Sequence, residues 1–165
     1  MSPTGRELLS VGIDVGTTTT QVVFSRLQVQ DVARLGQVPR LQVNAKAVLY
    51  QSPIAFTPLL TPAEVDVTAL AALVREEYRR AGVAPEQVET GAVIITGEIA
   101  RASNADAILK ALLQLAGDFV VTIAGPNVEA QIAARGAGAA AYSAEHYAQV
   151  TNVDIGGGTS NAAIF

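Results

Sequence analysis

The sequence predicts an α/β fold with a mixed sheet, partly antiparallel and partly parallel, flanked by helices. Two glycine-rich strand–turn–strand segments, at residues 11–24 and 150–165, enclose a stretch in which strand and helix patterns alternate. Alternating Thr, Val and Phe after the first glycine-rich turn favour a strand over a helix. Strand–helix alternation is typical of parallel strands joined by right-handed crossovers. The predicted order is therefore ββ(β)–α–β–α–β–α–ββ.

The first part of the chain predicts an antiparallel meander over residues 8–56. Residues 8–14 and 19–27 are the two strands of a hairpin. The mixed polarity of residues 28–44 predicts a loop and a weak third strand. Residues 46–56 are β-rich, but Pro53 confines them to an edge strand or a bent one.

A helix is expected after residue 61, and two starting points compete for it. Thr61-Pro62-Ala63-Glu64 fits a capping box with proline at the first helical position. Asp66 is the rival N-cap. Apolar residues then follow helical spacing from residue 67 to residue 81, and Gly82 is placed to end the helix.

The rest of the chain predicts two buried strands and two further helices. Residues 91–96 and 118–124 are short apolar runs of the kind found in parallel strands covered on both faces. A helix is expected from about residue 104, with Ser103 as its N-cap. A third helical stretch begins at residue 125, and its small residues at 136–141 would let it lie close on a sheet.

Composition excludes several classes of function. The 165 residues carry a net charge of −4 and no cysteine, and half of them are hydrophobic. A nucleic-acid-binding domain would be basic, and disulfides or thiolate metal sites need cysteine. No apolar run approaches membrane-spanning length, and the first residues lack a signal-peptide pattern. We expect a cytosolic domain without a nucleic-acid or membrane partner.

Both glycine-rich turns favour phosphate binding of an unusual kind. A Walker loop or a dinucleotide loop opens a helix, but each turn here is followed by a strand and neither has the Walker lysine. In a hairpin, successive backbone N–H groups can form a concave nest for an anion. The predicted phosphate cradle consists of Gly16, Thr17, Thr18, Gly156, Gly157, Gly158 and Thr159.

An aspartate stands at the same offset before each turn. Asp14 and Asp154 are predicted to hold Mg²⁺ through water, because Mg²⁺ prefers few carboxylates and keeps several waters. Three consecutive glycines at residues 156–158 cost backbone entropy, which indicates close approach of another group to the backbone. The alternative is that these are two ordinary hairpins whose aspartates only cap turns.

These motifs resemble a known superfamily. Residues 14–19 (Asp-Val-Gly-Thr-Thr-Thr) and 154–159 (Asp-Ile-Gly-Gly-Gly-Thr) are similar to the two phosphate motifs of the actin-like ATPases. That superfamily includes seventy-kilodalton heat-shock chaperones, sugar kinases and actin, and has a ribonuclease H-like fold. The reactivating factors of ethanolamine ammonia-lyase are resembled more closely, over residues 9–22, 51–53, 56–58, 90–98, 117–121, 136–139 and 152–161.

The resemblance implies a chaperone-like ATPase that uses ATP and Mg²⁺. Its expected partner is the adenosylcobalamin-dependent ethanolamine ammonia-lyase, from which it would promote release of damaged cobalamin. Such a protein works in the cytosol or near the ethanolamine microcompartment. A sugar or acetate-type kinase and an actin-like scaffold that binds nucleotide to assemble are the alternatives within the same superfamily.

The resemblance also implies a division of the chain. Residues 1–148 correspond to the first actin-like domain, and residues 149–165 to the first hairpin of a second domain that is otherwise missing. We therefore expect a fold truncated before that second domain, with weak or no ATP hydrolysis by this chain alone. The exposed edges of the terminal hairpin are expected to pair with another copy.

Phosphoryl transfer to water also needs a residue that orients the attacking water. Asp154 is one predicted contact of that water. Glu98 follows a buried strand and a glycine, the position where α/β sheets place their sites. Glu129 stands at the start of the third helix, where relatives tend to place a catalytic carboxylate or amide. The sequence does not choose between these glutamates, and either could be an exposed carboxylate.

Overall fold

A computed structural model describes residues 5–33, 38, 40–62, 64–96, 99, 104–113, 115, 119–123, 126–157 and 159–165. The strands are β1 Arg6–Val15, β2 Thr19–Asp31, β3 Leu41–Gln51, β4 Ala55–Phe56, β5 Leu59–Thr61, β6 Glu64–Val65, β7 Thr90–Ile95, β8 Phe119–Ile123, β9 Thr151–Ile155 and β10 Ser160–Ile164. The helices are α1 Val67–Ala81, α2 Ala105–Leu113, α3 Pro126–Gly136 and α4 Ala139–His146. Among the described residues, no helix is long and apolar enough to cross a membrane.

The central sheet is mixed, as predicted. Its strands lie in the order β3-β2-β1-β7-β8, and β4 adds a short pairing to β2. β1, β2 and β3 pair antiparallel, while β1, β7 and β8 run parallel. β3 lies at the edge and the chain leaves it just before Pro53, which confirms the predicted edge position. β3 joins the end of the segment predicted as a loop with a weak strand to the start of the predicted edge strand, because β2 extends to Asp31 and pairs there with Leu41.

The core lies on one face of this sheet, against α1 and α2. Alternate residues of β1, β2 and β7 point to that face, and α1 and α2 contribute residues at helical spacing. The buried members of largest volume are Phe24, Ile13, Leu70, Ile95, Ile108 and Leu112. In the second helix, Ile108 and Leu112 are the residues that face this core.

Helix α1 begins at Asp66 and not at the capping box. The Asp66 carboxylate accepts a hydrogen bond from the amide N of Ala69 at 2.9 Å, and Glu64 lies instead in strand β6. The side-chain amide of Asn104 fixes that strand, because it donates to the carbonyl O of Val65 at 2.7 Å. The capping-box prediction is wrong, because the residues that the local pattern assigned to the helix pair with β5 as strand β6.

The other predicted helix ends can be compared in part. Gly82 ends α1 in the left-handed conformation, with φ of +67°, as predicted. Ser103 lies outside the described residues. The third helical stretch is divided into α3 and α4 at Gly138, which has φ of +85°, so one continuous helix was a wrong expectation.

Small residues do bring α3 close to a sheet, but the sheet is the terminal hairpin. Ala130 and Ala134 of α3, Ala139 of α4 and Ala163 of β10 form a separate buried cluster. In the described part of the chain, β9 and β10 pair only with each other. Helix α3 therefore supports the hairpin from one side. The domain boundary predicted near residue 148 stays a prediction.

Candidate functional site

The two glycine-rich turns have the same local geometry. In the first turn (residues 16–19), the amide N of Gly16 donates to the carbonyl O of Thr19 at 2.9 Å. In the second turn (residues 156–159), the amide N of Gly156 donates to the carbonyl O of Thr159 at 2.8 Å. Both turns thus close with the same hydrogen bond, as strand–turn–strand hairpins.

The strand register around the turns matches as well. Asp14 pairs with Gln21 across the first hairpin, and Asp154 pairs with Asn161 across the second. Each aspartate is the second-last residue of its strand and projects beside its turn. The equal offset seen in the sequence therefore corresponds to an equal position in space within each hairpin.

The two turns face each other across one cavity of about 210 Å³, called here the site cavity. Its lining residues are Asp14, Gly16, Thr17, Thr18, Thr19, Thr96, Glu129, Asp154, Ile155, Gly156, Gly157 and Thr159. Segments separated by more than a hundred residues in sequence thus form a single concave surface rich in hydroxyl and carboxylate groups. A second cavity, of about 280 Å³, adjoins it and shares Asp14, Thr96, Glu129 and Asp154.

The surroundings of the Asp14 carboxyl group disfavour its charged form. Burial, followed by the negative charges of Glu129 and Asp154, raises the pKa of Asp14 from 3.8 to about 6. The Asp14 residue is nevertheless exposed to solvent, so its desolvation is only partial. Like charges close together disfavour ionisation, and a cation placed among them would relieve that penalty.

These acids suit a hydrated metal ion better than a directly ligated one. Within the described ranges, no three acidic or histidine side chains lie close enough together to hold one metal ion. Mg²⁺ commonly keeps most of its water shell and uses only one or two carboxylates. The donor set of Asp14 and Asp154 beside an open cavity therefore fits Mg²⁺ held through water.

Of the two glutamates predicted near the attacking water, one lines the site cavity. Glu129 lies in the first turn of α3 and borders both cavities. Glu98 and Gly158 lie outside the described residues. The structure brings Glu129 to Asp14 and Asp154, while the catalytic, cradle and metal roles of the named residues stay predictions.

Sequence analysis missed Thr96 as a site residue. Thr96 follows β7, and its amide N donates to the carbonyl O of Val15 at 3.1 Å, which ties it to the start of the first turn. It lines both cavities. Parallel strands present their carboxyl ends at one edge of a sheet, so its position directly after a parallel strand was a usable signal.

Thr57 was also missed, and it supports the first turn from outside the site cavity. Its hydroxyl donates to the carbonyl O of Gly16 at 2.7 Å, and its amide N donates to the carbonyl O of Thr18 at 3.0 Å. The Thr20 hydroxyl lies 3.0 Å from the Thr57 hydroxyl. No local sequence pattern could have placed Thr57 here, because it lies 37 residues after Thr20 in the chain. Only the pairing of β4 with β2 brings it to the turn.

Comparison with solved structures shows the general fold. The chain superposes on the Ppx/GppA phosphatase of Aquifex aeolicus, type II variant, with a TM-score of 0.54 and 16% identity, over 96% of this chain and 48% of that one. Another structure of the Aquifex aeolicus Ppx/GppA family member gives a TM-score of 0.52 at 17% identity, over 97% of this chain and 48% of that one. These similarities confirm the actin-like ATPase fold, and at this low identity they carry no information about function.

Two curated relatives are much more similar in sequence. Both are described as ethanolamine ammonia-lyase reactivase EutA, from Salmonella typhimurium (51% identity) and Escherichia coli (49% identity), over 160 residues and 97% of this chain. The chain spans about a third of the length of these relatives, since the alignments cover 34% of each.

A sequence model of one protein family matches almost the whole chain, from residue 6 to residue 165. This match agrees with the stretches whose resemblance the sequence itself displayed, including both glycine-rich turns. The chain therefore belongs to the family described as ethanolamine utilisation protein EutA.

Proposed function

We propose that this chain provides the phosphate-binding wall of an ATP site in a protein that reactivates ethanolamine ammonia-lyase. The observation that carries the proposal is the meeting of two turns of the same design across one cavity, with an aspartate beside each. A polyphosphate has negative charge along its length and can be held from two sides at once. The alternative of two ordinary hairpins does not explain why both turns border the same cavity.

Backbone and hydroxyl donors of the two turns would hold the phosphates. Glycine-rich turns can direct consecutive N–H groups at one anion, and the threonine hydroxyls of both turns border the same cavity. Gly157 has no side chain where the second turn meets Thr18, so the two turns can approach each other closely. The cradle thus consists mainly of backbone groups whose position the hairpins fix.

Asp14 and Asp154 would hold Mg²⁺ through its water shell. The bound ion would neutralise charge on the phosphates and on the clustered carboxylates together. Because the pKa of Asp14 is about 6, this carboxyl is mostly ionised at neutral pH and becomes protonated under mildly acidic conditions. We therefore expect Mg²⁺ binding to weaken as the pH falls through about 6.

Glu129 would orient the attacking water. It is half-buried at the first turn of α3 and borders the cavity that also contains Asp154. A carboxylate in that place can accept a hydrogen bond from water and direct the oxygen lone pair at the terminal phosphate. Asp154 would contact the same water from the opposite turn. Glu98 keeps the same proposed role as an alternative.

The expected partner is ethanolamine ammonia-lyase, as the names of the two relatives indicate. We propose that ATP binding and hydrolysis change the relative position of the two turns, and that this change loosens the lyase so that damaged cobalamin leaves. Cobalamin is then cargo of the lyase and needs no pocket in this chain. The protein would act in the cytosol or near the ethanolamine microcompartment.

The test compares Asp14→Asn with Asp106→Asn in the intact protein. Asp106 is an exposed aspartate in the first turn of α2, so the control makes the same chemical change away from the site cavity. Isothermal titration with Mg²⁺-ATP and a lyase reactivation assay are the measurements. We expect Asp14→Asn to weaken both by at least about tenfold, as expected when a charge contact to the metal shell is lost.

The control variant should behave like the wild-type protein in both assays. Unchanged affinity and reactivation in Asp14→Asn would remove Asp14 from the site. Absence of Mg²⁺-ATP binding by the wild-type protein would reject the nucleotide site itself. Nucleotide-dependent sedimentation without lyase binding would favour the scaffold alternative, and transfer of phosphate to a sugar or to acetate would favour the kinase.

A further inference from the structure

We propose that Thr57 is a positioning residue for the first turn, and this inference rests on the proposed phosphate-binding function. Thr57 does not line the site cavity. It is only 6% exposed and contacts the first turn through hydrogen bonds to Gly16 and Thr18. Its role would be to fix which backbone groups of the turn face the ligand.

Thr57 binds two carbonyl groups of the same short turn. Its hydroxyl and its amide N donate to the carbonyl oxygens of Gly16 and Thr18, at 2.7 and 3.0 Å. Both carbonyl oxygens are therefore directed at Thr57, which is not among the residues that line the cavity. A carbonyl oxygen that faced the phosphate would repel it, so holding these two away favours anion binding.

The hydroxyl of Thr57 is itself held in one orientation. Because it donates to Gly16, it accepts from the hydroxyl of Thr20, 3.0 Å away and also buried. The chain that carries Thr57 is fixed by β4, which pairs with β2 at Thr19 and Thr20. The turn is therefore supported along its outer side by an ordered backbone segment and not by a mobile side chain.

Ser52 offers a matched control within the same segment. It too is a buried hydroxyl bonded to backbone, since its Oγ accepts from the amide N of Val22 at 3.0 Å. This contact is made at Val22, the fourth residue of β2, and not at a residue of the turn. Loss of the Ser52 hydroxyl should therefore reduce stability without changing the first turn.

The experiment compares Thr57→Val, Thr57→Ser and Ser52→Ala by hydrogen exchange and by Mg²⁺-ATP titration. In Thr57→Val the hydroxyl is lost, while the shape at Cβ and the backbone N–H are kept. We expect faster exchange of residues 16–19 and about three- to tenfold weaker Mg²⁺-ATP binding, the effect of one lost hydrogen bond. Thr57→Ser should restore both, and Ser52→Ala should accelerate exchange near Val22 but leave affinity unchanged.

Two results would overturn the inference. One is wild-type exchange of residues 16–19 in Thr57→Val. The other is an affinity loss in Ser52→Ala equal to that in Thr57→Val at the same loss of stability. Exchange is measured without nucleotide, so this measurement decides on Thr57 even if the wild-type protein fails to bind Mg²⁺-ATP and the proposed function is rejected.

Discussion

Gly157 lies against the side chain of Thr18, so the second turn touches the first at a point where only glycine fits. A Cβ atom built on Gly157 would lie 2.6 Å from both the Cβ and the Oγ1 of Thr18. The Cβ of Thr18 is fixed by the backbone and cannot rotate away. The separation of the two turns is therefore set by a direct contact between them.

We expect Gly157→Ala to push the two turns apart and to weaken Mg²⁺-ATP binding at least about tenfold, because misplacement of about 1 Å can be costly in a preorganised site. Adding Thr18→Gly removes the atoms that the new methyl group would meet. The double variant should then bind Mg²⁺-ATP more tightly than expected from the sum of the two single losses in binding free energy. Titration of the wild-type protein, the two single variants and the double variant measures this difference.

Gly12→Ala is the control for Gly157→Ala. Gly12 lies in β1, and a Cβ built there would have no neighbouring atom within 4 Å. Its affinity and stability should therefore remain close to those of the wild-type protein. Normal binding by Gly157→Ala would show that the contact does not set the separation of the turns.

The raised pKa of Asp14 makes stability depend on pH in a predictable direction. The folded protein holds the Asp14 proton up to a pKa of about 6, whereas an ordinary aspartate releases it near 3.8. Stability from this group is thus fully present below about pH 4 and is lost as the pH rises to about 6. Without Mg²⁺, Asp14→Asn should be more stable than the wild-type protein at pH 7.5.

Urea unfolding of both proteins in EDTA, at pH 4.5 and pH 7.5, checks this prediction. The stability difference between variant and wild type should shrink at the lower pH. Addition of Mg²⁺ at pH 7.5 should stabilise the wild-type protein and have less effect on the variant. A variant less stable than the wild type at pH 7.5 in EDTA would contradict the proposed cost of burying the Asp14 charge near Glu129 and Asp154.

The alanine cluster under the hairpin predicts a second, indirect way to disturb the site. Ala134 is fully buried between α3 and the hairpin, in a cluster with Ala163. Ala134→Leu overpacks this contact and should cost about 1–3 kcal/mol of unfolding free energy. Since the same hairpin carries Asp154, Mg²⁺-ATP affinity should fall as well. Ala141→Leu, on an exposed position of α4, should change stability by less than about 0.5 kcal/mol.

The start of α1 gives a prediction about stability alone. Asp66→Ala removes the side chain that accepts the amide N–H of Ala69 and should cost about 1 kcal/mol. Glu64→Ala, at the alternative cap that the sequence suggested, should cost less because Glu64 lies in β6. Chemical denaturation of the two variants separates the two caps, and equal losses would contradict the assignment to Asp66.

Much of the fold could be predicted because local pattern and tertiary structure agree over most of the chain. The strands around Ile13 and Val93 alternate or run apolar as their burial requires, and α1 has an unambiguous apolar stripe. The wrong start of the first helix arose where a distant partner decided the outcome. Val65 pairs with Leu59 and accepts a hydrogen bond from Asn104. These contacts keep the residues of the predicted capping box in an extended conformation, so the helix starts later.

The site could be predicted in its repeated part and not in its supporting part. Asp14 and Asp154 carry the signal of a motif that occurs twice at the same offset. Thr57 belongs to neither motif, and its importance depends on pairing of β4 with β2. The raised pKa of Asp14 likewise depends on tertiary structure, first through burial and then through the charge of Glu129, which α3 brings close by packing on the hairpin.

The two sides of the site cavity are anchored very differently. The first turn is held by three neighbouring segments, through its own hairpin, through Thr57 and through Thr96. The second turn belongs to a two-stranded ribbon that, within the described residues, rests on α3 through alanine contacts. We expect the first turn to stay in place while the ribbon moves outward to admit longer ligands, because the contact between Gly157 and Thr18 limits only how closely the turns approach.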